Sequence, residues 1–189
     1  MRKFSITKIA ICSFALLMIA AGCGTGRSST GGAGVIPVID ADSEEESIGL
    51  PNPWTDHLDL SGAEAYVGFT FGLPSALGEC TEANYRCMED SMIEVIYTDK
   101  NGEEAYCLRK GRGSDDISGD YNTYDDFSEY TKQVGDNEVT AILSKDYVGV
   151  CRITFCVGDE FSYSFTAGTY KPDPGEAKKL VDEILEKNP

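Results

Sequence analysis

The residues with chemical potential are few. Of seven cysteines, Cys23 stands apart: it follows Ala20-Ala21-Gly22. Arg2, Lys3 and Lys8 precede an apolar run from Ile9 to Ala21, and small residues then lead into a thiol. That order is a secretory signal ending at a lipid-acceptor cysteine, with Ala20 where leucine is more usual. The apolar run is short for a membrane span, which takes roughly 20 residues. Cys12 lies inside it and leaves with it. A signal peptide over 1–22 and lipidation at Cys23 are therefore expected. Two acyl chains make such anchoring stable where one does not.

The remaining thiols are Cys80, Cys87, Cys107, Cys151 and Cys156, and the only histidine is His57. No serine sits in a Gly-x-Ser-x-Gly elbow. A Cys–His pair would have to be made by the fold, and His57 beside Trp54 and Asp56 reads as an ordinary surface or half-buried ring. The cysteine spacings do not match zinc-knuckle spacing, and residues 151 and 156 of one strand would face opposite sides. Cys107 and Cys151 read as small core residues. An extracytoplasmic compartment permits disulfides, and pairing across strands stays open. The expectation is no catalytic residue, no metal and no cofactor.

The stretch Gly111–Tyr130 carries Asp115, Asp116, Asp120, Asp125, Asp126 and Glu129, with Tyr121, Tyr124, Phe127 and Tyr130 at three-residue spacing. Carboxylates with exposed carbonyls can hold calcium, although the spacing is not that of the Asp-x-Asp-x-Asp-Gly loop. Tyrosines beside carboxylates can instead stack on and hydrogen-bond a cell-wall sugar. Asp115, Asp116, Asp120, Tyr121 and Tyr124 are the candidate ligand-binding residues. The alternative is a solvated acidic loop whose aromatics dock on a sheet, with Arg109, Lys110 and Arg112 as ion-pair partners.

The elements that must position these residues follow from pattern. Gly24 to about Gly34 is Gly, Ser, Thr and Ala with one Arg27, and Asp40–Ser47 is acidic. Residues 23–52 thus read as a flexible tether. Ser61-Gly62-Ala63-Glu64 fits a capping box for a short helix to about Val67. From Glu79 the period becomes two. Ile93, Val95 and Tyr97 alternate with Met92, Glu94 and Ile96, and Asp99-Lys100-Asn101-Gly102 is a hairpin turn. Strands are expected near Ser128–Val134, Val139–Ser144, Tyr147–Val157 and Phe161–Thr166. Phe161, Tyr163 and Phe165 share a dry face, and Ser162, Ser164 and Thr166 a wet one. Asp173-Pro174 starts a helix whose Ala177, Leu180, Val181, Ile184 and Leu185 form one apolar stripe. The expected fold is α+β: a six- or seven-stranded antiparallel meander, a short N-terminal helix and a C-terminal helix packed on one face, over residues 53–189.

Met92-Ile93-Glu94-Val95-Ile96-Tyr97, Leu108-Arg109-Lys110-Gly111 and Asp115-Asp116-Ile117-Ser118-Gly119-Asp120-Tyr121-Asn122 carry a resemblance. They resemble an uncharacterised family of secreted or membrane-attached domains of clostridial-type Gram-positive bacteria. Related domains are similar to the extracytoplasmic ends of anti-sigma-factor-like membrane proteins. The resemblance covers about residues 52–187. It implies an α+β sheet domain and no known activity; five cysteines depart from the family's usual few or none.

Composition narrows function. The chain of 189 residues has 16 basic and 32 acidic side chains, a net charge of −16. Removing residues 1–22, with three basic and no acidic side chains, leaves 167 residues at −19. Such a charge excludes nucleic acid as a ligand and opposes charge-driven adhesion to anionic lipid. The expectation is a lipid-anchored domain on the outer face of the cytoplasmic membrane, non-enzymatic, binding an envelope protein or a cell-wall glycan. The alternatives are a secreted enzyme using a thiol or paired carboxylates, and a sensory domain of an envelope-stress system.

Overall fold

The computed structural model describes residues 52–189. The expected signal peptide, Cys23 and the tether up to residue 51 lie outside the described residues. The elements are β1 (Thr55–His57), α1 (Leu60–Val67), β2 (Cys80–Met88), β3 (Met92–Asp99), β4 (Glu104–Arg112), β5 (Asp126–Val134), β6 (Asn137–Lys145), β7 (Val150–Val157), β8 (Phe161–Ala167) and α2 (Pro174–Lys187). The α+β class holds, with one antiparallel sheet of eight strands rather than six or seven. Its order is β1-β2-β3-β4-β8-β7-β6-β5. Two four-stranded meanders therefore meet where β4 pairs with β8, and the β4–β5 connection carries the chain to the far edge. The first described element is a strand, so the short helix is not N-terminal. Three residues of β1 are too few to show a period.

Local chemistry explains most boundaries. Asp99 Oδ1 accepts from the backbone N–H of Asn101 at 2.8 Å and of Glu103 at 3.1 Å, closing the β3–β4 turn. The cap of α1 is Asp59 rather than Ser61. Its carboxylate accepts from Gly62 N, and Glu64 accepts instead from Phe71 N at 2.7 Å. Asp173 caps α2 with a capping box closed by Glu176 and proline at the first turn. Tyr147 and Val148 do not begin β7 as expected. Asp146 Oδ1 accepts from Val148 N at 2.8 Å and Gly149 N at 3.1 Å, and this turn delays the strand to Val150.

The register sorts the faces. Ile93, Val95 and Tyr97 lie opposite Lys110, Leu108 and Tyr106, and Leu108 and Lys110 lie opposite Phe165 and Tyr163. Phe155 and Ile153 continue the row to Leu143. Over this face lie Ala63 and Val67 of α1, Phe71, and Ala177, Leu180, Val181, Ile184 and Leu185 of α2, all buried. Each large side chain buried there contributes roughly 2 kcal/mol.

Lys110 is the one cation in this core. Its ammonium donates to Thr70 O at 2.7 Å and Asn188 Oδ1 at 3.1 Å, and sits 4.4 Å from the Phe161 ring centroid. Burial pushes its pKa down, against the pull of Glu160 and Glu64.

The opposite face is not wet where it was expected to be. Ser162 and Ser164 are buried, because the β4–β5 connection crosses that face as a strap. Side chains of the sheet donate to its backbone carbonyls. Ser162 Oγ reaches Gly113 O at 2.7 Å, Arg109 Nη1 reaches Ile117 O at 2.8 Å, Thr166 Oγ1 reaches Ser118 O at 3.2 Å, and Arg152 Nη1 reaches Asp120 O at 2.9 Å.

Candidate functional site

The strap ends beside the β6–β7 turn, and the two enclose a cleft of about 720 Å³. Its wall includes Asn122, Thr123, Tyr124, Asp125 and Asp126 from the strap side, and Lys145, Asp146 and Tyr147 from the turn. Lys171 and Cys151 complete it.

One Asp-Tyr dipeptide, Asp146-Tyr147, lies in the wall, and another, Asp120-Tyr121, directly precedes it in the strap. Asp120 Oδ1 accepts from Asn122 N at 2.9 Å and Asn122 Nδ2 at 2.7 Å, and Asp120 Oδ2 accepts from the Tyr124 hydroxyl at 2.6 Å. Asp146 makes the matching turn and also pairs with Lys171. Each aspartate takes the N–H two residues on, a local Asx turn. The residue between is thrown outward: Tyr121 is 97% and Tyr147 99% exposed.

The electrostatics keep these turns closed at neutral pH. Burial would raise Asp120, but hydrogen bonds from Tyr124 and Asn122 outweigh it, and the carboxyl lies below its ordinary value. Tyr124 is pushed up to about 12 by burial and by its bond to Asp120. The Lys171 ammonium, then the Gly149 and Val148 N–H groups, hold Asp146 well below the carboxylate range. Arg152 lies 5.2 Å from the Tyr124 ring centroid and fixes that ring against the strap.

The five candidate residues part company. Tyr124 lines the cleft, Asp120 holds the Tyr124 hydroxyl, and Tyr121 is exposed one residue before Asn122 of the wall. Asp115 and Asp116 line a separate groove of about 280 Å³ with Thr140, Ile142 and Cys156. The three-residue aromatic spacing does not make one face: Phe127 is exposed, while the Tyr130 hydroxyl donates to Asp182 on α2. The expected ion pairs between the insert and Arg109, Lys110 and Arg112 are not made. Arg109 Nε instead holds Glu94 at 2.5 Å, Lys110 lies on the other face, and Arg112 Cζ sits 5.0 Å from the Phe69 ring centroid. Arg152 meets Asp116 at 4.0 Å. Sequence reasoning missed Tyr147, Lys145, Asp146 and Lys171. The repeated Asp-Tyr dipeptide was the available signal.

Of the side chains weighed for catalysis, Cys151 lines the cleft and the others lie elsewhere. His57 packs on Tyr66 with ring centroids 5.0 Å apart. Cys80, Cys87, Cys107, Cys151 and Cys156 are all free thiols. Burial pushes Cys87 up to about 11, raises Cys107 well above its ordinary value, and raises Cys151, which makes all three weak nucleophiles at neutral pH. Among the described residues, no group of three or more His, Cys, Asp or Glu side chains is placed to hold a metal ion. No family model, no curated protein and no solved structure matches the chain.

Proposed function

We propose that the chain is a lipid-anchored, non-enzymatic binding domain of the cell envelope, held through Cys23 on the outer face of the cytoplasmic membrane, and that its cleft grips a cell-wall glycan. One observation carries the reading: twin Asx turns present two bare tyrosines, Tyr147 in the wall of a broad cleft and Tyr121 one residue before the wall's Asn122. Sugars offer apolar C–H faces for aromatic stacking and hydroxyls for hydrogen bonding. Tyr121 and Tyr147 supply the first. Asn122, Thr123, Asp125, Lys145 and Lys171 supply donors and acceptors for the second. Rigid turns reduce the entropy lost on binding, and tyrosine has few torsions to freeze. The high negative charge of the chain disfavours polyphosphate wall polymers and leaves neutral or zwitterionic glycan strands.

Two measurements test the reading. Mass spectrometry of the chain from its own cells reads a diacyl or larger adduct on Cys23; a bare cysteine on a cytosolic chain overturns the anchor. Co-sedimentation with purified cell-wall sacculi stripped of protein and polyphosphate reads the glycan; a chain that stays in the supernatant overturns the ligand.

A further inference from the structure

The sheet has two edges, treated differently. At one, β1 covers β2 with three residues. At the other, β5 pairs with β6 through nine consecutive registers without a bulge, and among the described residues its outer side has no neighbouring strand. Protected edges carry proline, a bulge or an outward lysine. β5 has no proline, and its single lysine, Lys132, is tied back to Asp182 on α2 at 2.7 Å.

The turn fixes which backbone groups are free. Val134 lies opposite Asn137 across the two residues Gly135-Asp136, and a two-residue turn closes on a doubly hydrogen-bonded pair. Even-numbered residues of β5 therefore bond inward to β6. The N–H and C=O groups of Phe127, Glu129, Thr131 and Gln133 point out from the edge. Side chains on the same outward face are Phe127, Glu129, Thr131 and Gln133 of β5, and Glu138, Thr140 and Ile142 of β6. Phe127 and Ile142 are exposed. These β5 and β6 side chains include two glutamates and no lysine or arginine; Asp115 and Asp116 lie along the adjoining groove, and Arg152 of β7 on the same face is taken up by Asp116 and the strap.

We propose that the β5 edge accepts, as a ninth strand, an extended peptide segment of another protein that bears lysine or arginine at alternate positions. Main-chain bonds to Phe127, Glu129, Thr131 and Gln133 supply the pairing. Glu129 and Glu138 select the basic side chains, Phe127 packs on their aliphatic stems, and the intervening side chains of the peptide turn to the opposite face of the sheet. This site lies outside the glycan cleft and does not depend on it.

The test uses the purified full chain and three nonapeptides: alternating lysine and valine, alternating glutamate and valine, and the lysine peptide N-methylated at every peptide bond. Calorimetry is expected to show binding of the lysine peptide, weakening as salt rises, and at least tenfold weaker binding of the other two. Thr131→Pro removes an outward N–H while leaving the β5–β6 ladder intact, so it is expected to lose at least tenfold with cooperative melting retained. Equal binding of the N-methylated peptide overturns strand addition, and equal binding of the glutamate peptide overturns the charge selection. A chain that sediments as a dimer, and as a monomer once Thr131→Pro is made, assigns the edge to a second copy and overturns the proposal. Should Thr131→Pro fail to fold, the N-methylated peptide on the unaltered chain decides.

Discussion

Glu94 shows how much one side chain can hold. It is fully buried in β3, paired with Arg86 on one side and Arg109 on the other. Trp54 lies over both guanidinium groups, at 4.6 and 5.6 Å from its ring centroid. Glu94→Ala leaves two cations without their carboxylate, one of them largely buried, and is expected to cost about 3 kcal/mol in urea unfolding. Gly119 is a second such point. Its φ is +65°, and a Cβ there would collide with Arg109 Nη1. Gly119→Ala is expected to lose about 2 kcal/mol or more and to loosen the strap with it. Asp146 carries the pH prediction. Its folded pKa is depressed, so its contribution to stability is complete above the unfolded value of about 4 and fades as pH falls through the folded value. The stability gap between the natural chain and Asp146→Asn is thus expected to stay constant from about pH 7 to 5 and to narrow below about pH 4. Thermal melts across that range read it.

At the level of elements, the strap decides whether a site exists. Its carbonyls are held by donors from β4, β7 and β8, each bond worth about 1 kcal/mol. Removing two of them, with Ser162→Ala and Thr166→Val, is expected to speed amide exchange over residues 113–121 at least tenfold. Protection of Leu108 and Phe165 in the sheet should not change, since local opening need not unfold the core. Elements whose cause is local were legible in the sequence. Helix α2 follows from Asp173-Pro174 and an apolar stripe, and the β3–β4 turn from Asp99 to Gly102. Elements whose cause is distant were not. Tyr147 and Val148 look like strand residues until Asp146 takes their turn's N–H groups. The acidic insert looked solvated because the side chains that fasten it stand in three strands, two of them later in sequence. Asp120, Tyr121 and Tyr124 were found because strap and cleft share one contiguous run. Lys171 was not, because only the fold brings it to Asp146.

For the molecule as a whole, the sheet sets its first strand and the cleft at opposite sides. The described chain starts at β1, and the cleft lies by β6 and the free edge at β5. Strands lie about 4.8 Å apart, which puts the cleft roughly 29 Å and the edge roughly 34 Å from β1 across the sheet. A tether of the composition read over residues 23–52 would add about 30 Å of reach as a coil. Deleting residues 25–47 is expected to leave affinity for soluble glycan within twofold while reducing capture of sacculi by chain embedded in vesicles. The central claim is that bare tyrosines grip sugar. Its most direct measurement is calorimetric titration of the full chain with soluble wall-glycan fragments, for the natural sequence and for Tyr121→Ala with Tyr147→Ala. Saturable binding that falls at least tenfold in the double variant, with its thermal midpoint unchanged, is the result this account predicts. Binding of equal strength in both, or none to the natural chain, would contradict it.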